Sequence, residues 1–257
     1  MSSEFQDKVV LVTGAGSGIG RAAAQAFAAQ GALVYAGDLN AEGLEETQGL
    51  ITAAGGQVQI ARIDVSDEAD IAGLAARIDR EIGRLDAAFN NAGITGPTHL
   101  IEDYPLEAFD RVIAINLRSV FLGMKHQIPL MKRAGSGAIV NTASVAAITG
   151  PGAMSAYAAS KHGVLGLTRV AAMENAAHGV RVNALAPGWT ETPMVVANSA
   201  QNPAFAELAK KAIPAKRGGQ PAELADAAVW LAGPHASYVF GQLIVVDGGM
   251  TIGGFEP

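Results

Sequence analysis

Seven short runs of Val, Ile, Leu and Ala, parted by helix-length segments, constrain this 257-residue chain most. The runs fall at residues 8–13, 32–37, 58–62, 85–90, 137–142, 180–186 and 242–246. They are apolar on both faces, as strands of a parallel sheet covered on both sides must be. The intervening segments 19–30, 40–54, 67–82, 106–133 and 155–178 read as helices. Asn40 and Asp67 stand where a side-chain oxygen can accept from the first free backbone N–H groups of a helix. Pro129 should bend the long helix, and Gly179 should stop the one before it. Strand alternating with helix implies right-handed crossovers in a doubly wound, mostly parallel, seven-stranded α/β sheet with helices on both faces. No linker or repeat divides the chain, so residues 1–257 are expected to form one domain. Residues 188–217 break the alternation and carry Pro193, Pro203 and Pro214, which suggests a substrate-binding lid.

Composition narrows the classes. Hydrophobic residues make up 49% of the chain, enough for a sizeable core, and aromatics are so few that Ala, Val, Leu and Ile must fill it. A formal net charge of −6 provides no footprint for a phosphate backbone, so no nucleic-acid partner is expected. The chain has no cysteine, which removes disulfides, thiolate nucleophiles and cysteine-based zinc sites, and fits a reducing cytoplasm. The polar residues 1–8 do not resemble a signal peptide, and no apolar run reaches the roughly 18 residues a membrane span needs. The five histidines form no ligand-like pair, and no Gly-x-Ser-x-Gly elbow exists. The methionines and Trp230 read as core.

The first strand runs into Thr13-Gly14-Ala15-Gly16-Ser17-Gly18-Ile19-Gly20, and a helix follows. Glycines permit a tight turn and let backbone N–H groups close on a pyrophosphate, while the helix start adds a positive dipole end. No Gly-Lys pair followed by Ser or Thr is present, which disfavours a nucleotide triphosphatase. Asp38 ends the second strand about 20 residues further on, where a carboxylate reads both hydroxyls of a ribose. It would repel the extra phosphate of NADP, and its neighbours Ser17 and Leu39 bring no cation to neutralise one. NAD is therefore the expected cofactor.

Tyr157 and Lys161 lie four apart in a predicted helix and share a face. A free tyrosine is a poor base at neutral pH, with a pKa of about 10. An ammonium about 5 Å away, at an effective dielectric of 20, would favour the phenolate by roughly 3 kcal/mol, or about two pKa units. Ser144 follows the fifth strand, at the carboxyl edge where catalytic groups collect. Its hydroxyl can orient a substrate oxygen.

Thr13-Gly14-x-x-x-Gly18-x-Gly20, Asn90-Asn91-Ala92-Gly93, Asn116, Ser144, Tyr157-x-x-x-Lys161, Pro187-Gly188, Thr192 and Asp247-Gly248-Gly249 occur together. In this order and spacing the chain resembles the short-chain dehydrogenase/reductase family over essentially its whole length. The resemblance implies a Rossmann fold and hydride transfer between NAD and a secondary alcohol or ketone, with Tyr157 as acid/base. It also implies that Lys161 binds the nicotinamide ribose and that Asn116 holds a water linking Lys161 to solvent. By the same resemblance, Asp64-Val65 and Asn91-Ala92-Gly93 contact the adenosine, and Pro187, Gly188, Thr190 and Thr192 shape the nicotinamide side. Asp64 and Asn91 have an alternative use in satisfying local backbone. A homotetramer is the family's usual assembly, and the tail 251–257 stands ready to complete an interface.

Ala146, Ile148, Met154, Trp189 and Met194 are expected near the substrate. They are apolar, and no arginine stands out as a carboxylate grip, so a neutral, hydrophobic and cyclic alcohol or ketone is expected. A 3-oxoacyl carrier reductase of the same fold and a non-catalytic dinucleotide-binding sensor are the competing functions. Asp38 disfavours the first, and the complete Ser144–Tyr157–Lys161 set disfavours the second.

Overall fold

The computed structural model describes residues 3–201 and 203–253. One seven-stranded sheet runs in the order β3-β2-β1-β4-β5-β6-β7, and every pairing is parallel. The strands are β1 (Val9–Thr13), β2 (Leu33–Asp38), β3 (Gln57–Arg62), β4 (Ala87–Asn90), β5 (Gly137–Thr142), β6 (Val180–Pro187) and β7 (Leu243–Val246). Successive residues of β1 feed opposite cores: Val10 and Val12 pack with Phe27, Phe89 and Leu224, while Val9 and Leu11 pack with Ile78, Leu85 and Val164. A sheet with a core on each face leaves only its strand ends open to build a site.

The helices are α1 (Gly18–Ala29), α2 (Ala41–Ala53), α3 (Glu68–Ile82), α4 (Leu106–Ile113), α5 (Ser119–Ala134), α6 (Ser155–Asn175), α7 (Pro193–Gln201), α8 (Pro203–Ala212) and α9 (Pro221–Ala232). Asn40 caps α2 by accepting from Gly43 N at 3.2 Å, and Asp67 caps α3 by accepting from Ala69 N at 2.8 Å. Gly179 ends the α6 segment in the left-handed conformation, at φ 73°.

Several expectations need correcting. β3 is an edge strand whose Gln57, Gln59 and Arg62 face solvent, so it is not covered on both sides. β7 at the other edge is only half-buried. The segment expected as one helix over 106–133 contains a π-turn at Ala114–Arg118, and the helix continues through Pro129 to Ala134. Trp230 and Met173 are on the surface, 42% and 85% exposed, whereas Met124 and Met131 are core. Within 188–217 the irregular stretch is organised by α7 and α8. Residues 254–257 of the expected interface tail lie outside the described residues. No helix among the described residues is long and apolar enough to cross a membrane.

Strand order reverses between β1 and β4, and there the carboxyl ends part into a crevice.

Candidate active site

A cleft of about 390 Å³ opens at this reversal. Its floor is the loop between β1 and α1, and the shape of that loop depends on two glycines above all. Gly14 has φ +67°, and a Cβ there would meet the Ala92 backbone at 2.9 Å. A Cβ on Gly20 would lie 2.0 Å from the Gly14 carbonyl oxygen, so only glycine lets α1 tuck beneath the loop. The first turn of α1 has no side-chain cap, and Ser17, Gly18 and Ile19 at its start line the cleft. The amides of such a helix start, with the helix dipole behind them, receive an anion.

Asp38 stands at the end of β2 beside this loop. Its Oδ2 accepts from Gly16 N at 2.8 Å and its Oδ1 from Asn40 N at 2.9 Å. Gly14, Ser17, Gly18, Ile19, Asp38 and Leu39 all line the cleft, as do Asp64 and Val65 after β3. Asn91, Ala92 and Gly93 line it from β4, and Pro187, Gly188, Thr190 and Thr192 from β6. The structure thus brings together every residue that sequence placed around the dinucleotide. Two of them also have local work. Asn91 Nδ2 donates to the Thr13 carbonyl at 3.2 Å, and Asp64 Oδ1 accepts from the Ser66 amide and hydroxyl. Those Ser66 bonds hold the Asp64 carboxyl below its usual range, with a smaller pull from Arg111.

Ser144, Tyr157 and Lys161 line the same cleft. Ser144 is buried just past β5, its Oγ accepting from Ala146 N at 3.1 Å. Lys161 is 3% exposed, and its Nζ donates to the Thr142 carbonyl at 2.7 Å and lies 5.6 Å from the centre of the Tyr157 ring. Burial pulls the Lys161 ammonium down to about 8. The expected drop in the Tyr157 phenol is reversed here. Burial pushes it up, and a hydrogen bond with Ser144 only partly opposes this. The cause is that desolvation acts on both groups, while the lysine's hydrogen bond is aimed at Thr142.

Asn116 is fully buried in the π-turn and does not line the cleft. Its Oδ1 accepts from Ile94 N at 2.8 Å, while Nδ2 donates to Ile94 O at 2.8 Å and to Ser160 Oγ at 3.2 Å. Both amide donors are therefore committed, and the side chain clamps the chain after Gly93. A Cβ on Gly93 would sit 3.2 Å from Asn116 Oδ1 and 3.7 Å from Lys161 Nζ, which measures how tightly the three converge.

Of the expected substrate contacts, Ser144 and Met194 line the cleft, whereas Ala146, Met154 and Trp189 do not. Ala146 is buried in a 3-10 turn, Met154 bridges to His99, and Trp189 stacks its indole edge over Gly218. Ile148 is 49% exposed and also outside the lining. Sequence reasoning missed Ile94, Ile115 and Val195, which add apolar lining, as well as Thr95 and Arg111, the latter close enough to Asp64 to act on its carboxyl.

Comparison with known proteins adds independent findings. Residues 14–251 match the family model described as Enoyl-(Acyl carrier protein) reductase. Levodione reductase of Leifsonia aquatica is 43% identical over 97% of this chain and 96% of that protein. Cyclohexanol dehydrogenase of Acinetobacter sp. (strain SE19) is 40% identical over 98% of each. The crystal structure of levodione reductase superposes with a TM-score of 0.93, covering 96% of this chain and 99% of that one. A putative gluconate 5-dehydrogenase from Beutenbergia cavernae, solved with bound NADP, gives 0.91 at 38% identity, covering 98% of this chain and 100% of that one.

Proposed function

This chain belongs to the short-chain dehydrogenase/reductase family, as an oxidoreductase acting on CH–OH groups, and from that premise we propose an NAD-dependent dehydrogenase of cyclic secondary alcohols. The observation that carries the reading is the convergence of Ser144, Tyr157 and Lys161 in the cleft whose other end is bordered by Asp38. The groups present suit a nicotinamide dinucleotide: an amide-lined cradle for a pyrophosphate, a carboxylate at the ribose position, and an apolar wall. When bound, that cofactor supplies the acceptor for the hydride. Solved relatives include one with bound NADP, so the preference for NAD rests on Asp38.

In the proposed oxidation, Ser144 holds the substrate oxygen and Tyr157 takes its hydroxyl proton. Tyr157 accepts that proton as the phenolate, a form that the charge of Lys161, buried beside Gly93 and Thr142, favours and burial of the phenol opposes, and the proton then leaves through Lys161. Asn116 is assigned as a positioning residue that fixes the Gly93–Ile94 peptide against Lys161. Residues 188–217 serve as the lid, with Thr192 so near the phosphate-facing loop that a Cβ on Gly18 would lie 3.3 Å from it. Exposed Leu106, Phe121, Val170 and Met173 on the outer helices support a homotetramer, and we place it in the cytoplasm, which a chain without cysteine suits.

Ile94, Met194 and Val195 give the cleft an apolar stretch of lining. The relatives' names, which include a cyclohexanol and a 4-hydroxycyclohexanecarboxylate dehydrogenase, support a six-membered ring as substrate. The family model's description favours a second reading, reduction of the double bond of an enoyl group carried as an acyl-carrier thioester. A panel pairing cyclohexanols with enoyl thioesters separates the two. Tyr157→Phe should lower kcat by roughly 10²–10⁴-fold while calorimetry shows NAD binding retained. Near-normal turnover in that variant would end the scheme.

A further inference from the structure

Arg21 lies in the first turn of α1, behind the phosphate-facing loop. Its guanidinium donates to the Gly16 carbonyl and, at 3.3 Å, to the Gly43 carbonyl. Its Nε donates to Thr47 Oγ1 at 3.1 Å, and it pairs with Glu46 at 2.7 Å. Thr47 is fully buried, and its hydroxyl proton is shared between the Ala15 carbonyl at 2.8 Å and the Gly43 carbonyl at 2.9 Å. The carbonyls of Thr13 and Ala15 are likewise met, by Asn91 and Thr47, and that of Ser17 by the Arg21 amide, so the loop's acceptors are tied to the protein.

These bonds close a ring. Gly16 N donates to Asp38 Oδ2, and Asp38 Oδ1 accepts from Asn40 N. Asn40 Oδ1 accepts from Gly43 N, and the Gly43 carbonyl returns to Arg21, which also holds Gly16 O. The Gly16 peptide is thereby gripped on both sides, its N–H by the ribose-facing carboxylate and its oxygen by Arg21. Gly43 belongs to the same device, since a Cβ there would stand 2.6 Å from Gly16 O.

We infer that Arg21 is a positioning residue that joins Asp38 and the phosphate-facing loop into one hydrogen-bonded unit, coupling ribose recognition to pyrophosphate recognition. The inference rests on the dinucleotide reading of the cleft. Only a planar fork reaches two carbonyls, a hydroxyl and a carboxylate at once, so lysine is not an equivalent.

The test is a double-mutant cycle read by calorimetry with NAD, NADP and ADP-ribose, using the full chain. Arg21→Met should weaken NAD and ADP-ribose by roughly tenfold or more and narrow the gap between NAD and NADP. Arg21→Lys should recover only part of this. The loss should fall on KM for the dinucleotide rather than on kcat, with an unfolding midpoint close to the parent's. Combined with Asp38→Ala, the two losses should multiply to less than their product. Affinity within about twofold of the parent, or a fully multiplicative double variant, would overturn the coupling. If Arg21→Met does not fold, Gly43→Ala strains the same ring from α2, and unchanged affinity there overturns it equally. A parent that prefers NADP would refute the NAD reading alone, because the same cycle can be run with NADP.

Discussion

Lys161 Nζ donates to the Thr142 carbonyl at 2.7 Å, which ties the second turn of α6 to the last residue of β5. The ammonium is buried, and burial brings it from 10.5 down to about 8. Below about pH 8 the folded protein therefore keeps a charge out of water that the unfolded chain would solvate. Between about 8 and 10.5 the unfolded lysine still holds its proton while the folded one has released it, so stability should rise with pH. The Tyr157 phenol is pushed above 10.0 and opposes this at the alkaline end, since the unfolded tyrosine ionises first. Urea unfolding of the parent should thus show a gain of about 2 kcal/mol from pH 8 to 10, relative to Lys161→Met. Parallel curves for the two would show that the lysine titrates as a free side chain.

Asp38→Ala removes a charge from the ribose end of the cleft. The expected result is weaker NAD and stronger NADP, each by about 10- to 100-fold, as befits hydrogen bonds to a charged group. Fluorescence titration with both reduced cofactors measures the ratio. A ratio that does not move would show that discrimination lies elsewhere.

Gly20→Ala places a methyl 2.0 Å from the Gly14 carbonyl oxygen, a backbone atom that cannot swing aside. The loop must lift off α1, at a cost of about 1–3 kcal/mol. Thermal unfolding should register the loss, and dinucleotide affinity should fall with it. Parent-like melting and affinity would mean that the close packing of loop and helix is not needed.

Asn116→Ala leaves the Ile94 amide and carbonyl without their partners beside a buried lysine. Each lost partner costs about 1–3 kcal/mol, so chemical denaturation should show a loss of a few kcal/mol. Turnover should drop more than dinucleotide affinity, because the displaced peptide abuts Lys161. An unaltered kcat would make the residue structural only.

The sheet was legible because burial on both faces forces continuous apolar runs, and Asn40, Asp67 and Gly179 work at helix ends by purely local chemistry. The residues that line the cleft at the β1–β4 reversal were legible for a related reason: glycines and an acidic residue at fixed distances have few other uses. β3 was misjudged although Gln57-Val58-Gln59-Ile60 alternates polar and apolar, the mark of a strand with one wet face. The π-turn left no trace in periodicity, since a single widened turn barely shifts the apolar stripe. Ala146, Met154 and Trp189 are near the site in sequence, but local turns point them into other contacts. Arg111 and Ile115 reach the cleft from a helix region far along the chain, a juxtaposition that only the crossover connections create.

A loop with its acceptors already tied has little left to organise when an anion arrives. Asn91, Thr47 and Arg21 hold those carbonyls, so capture freezes few further torsions, and association can run near the speed of encounter. Selection among dinucleotides then shows in how long each one stays, not in how fast it lands.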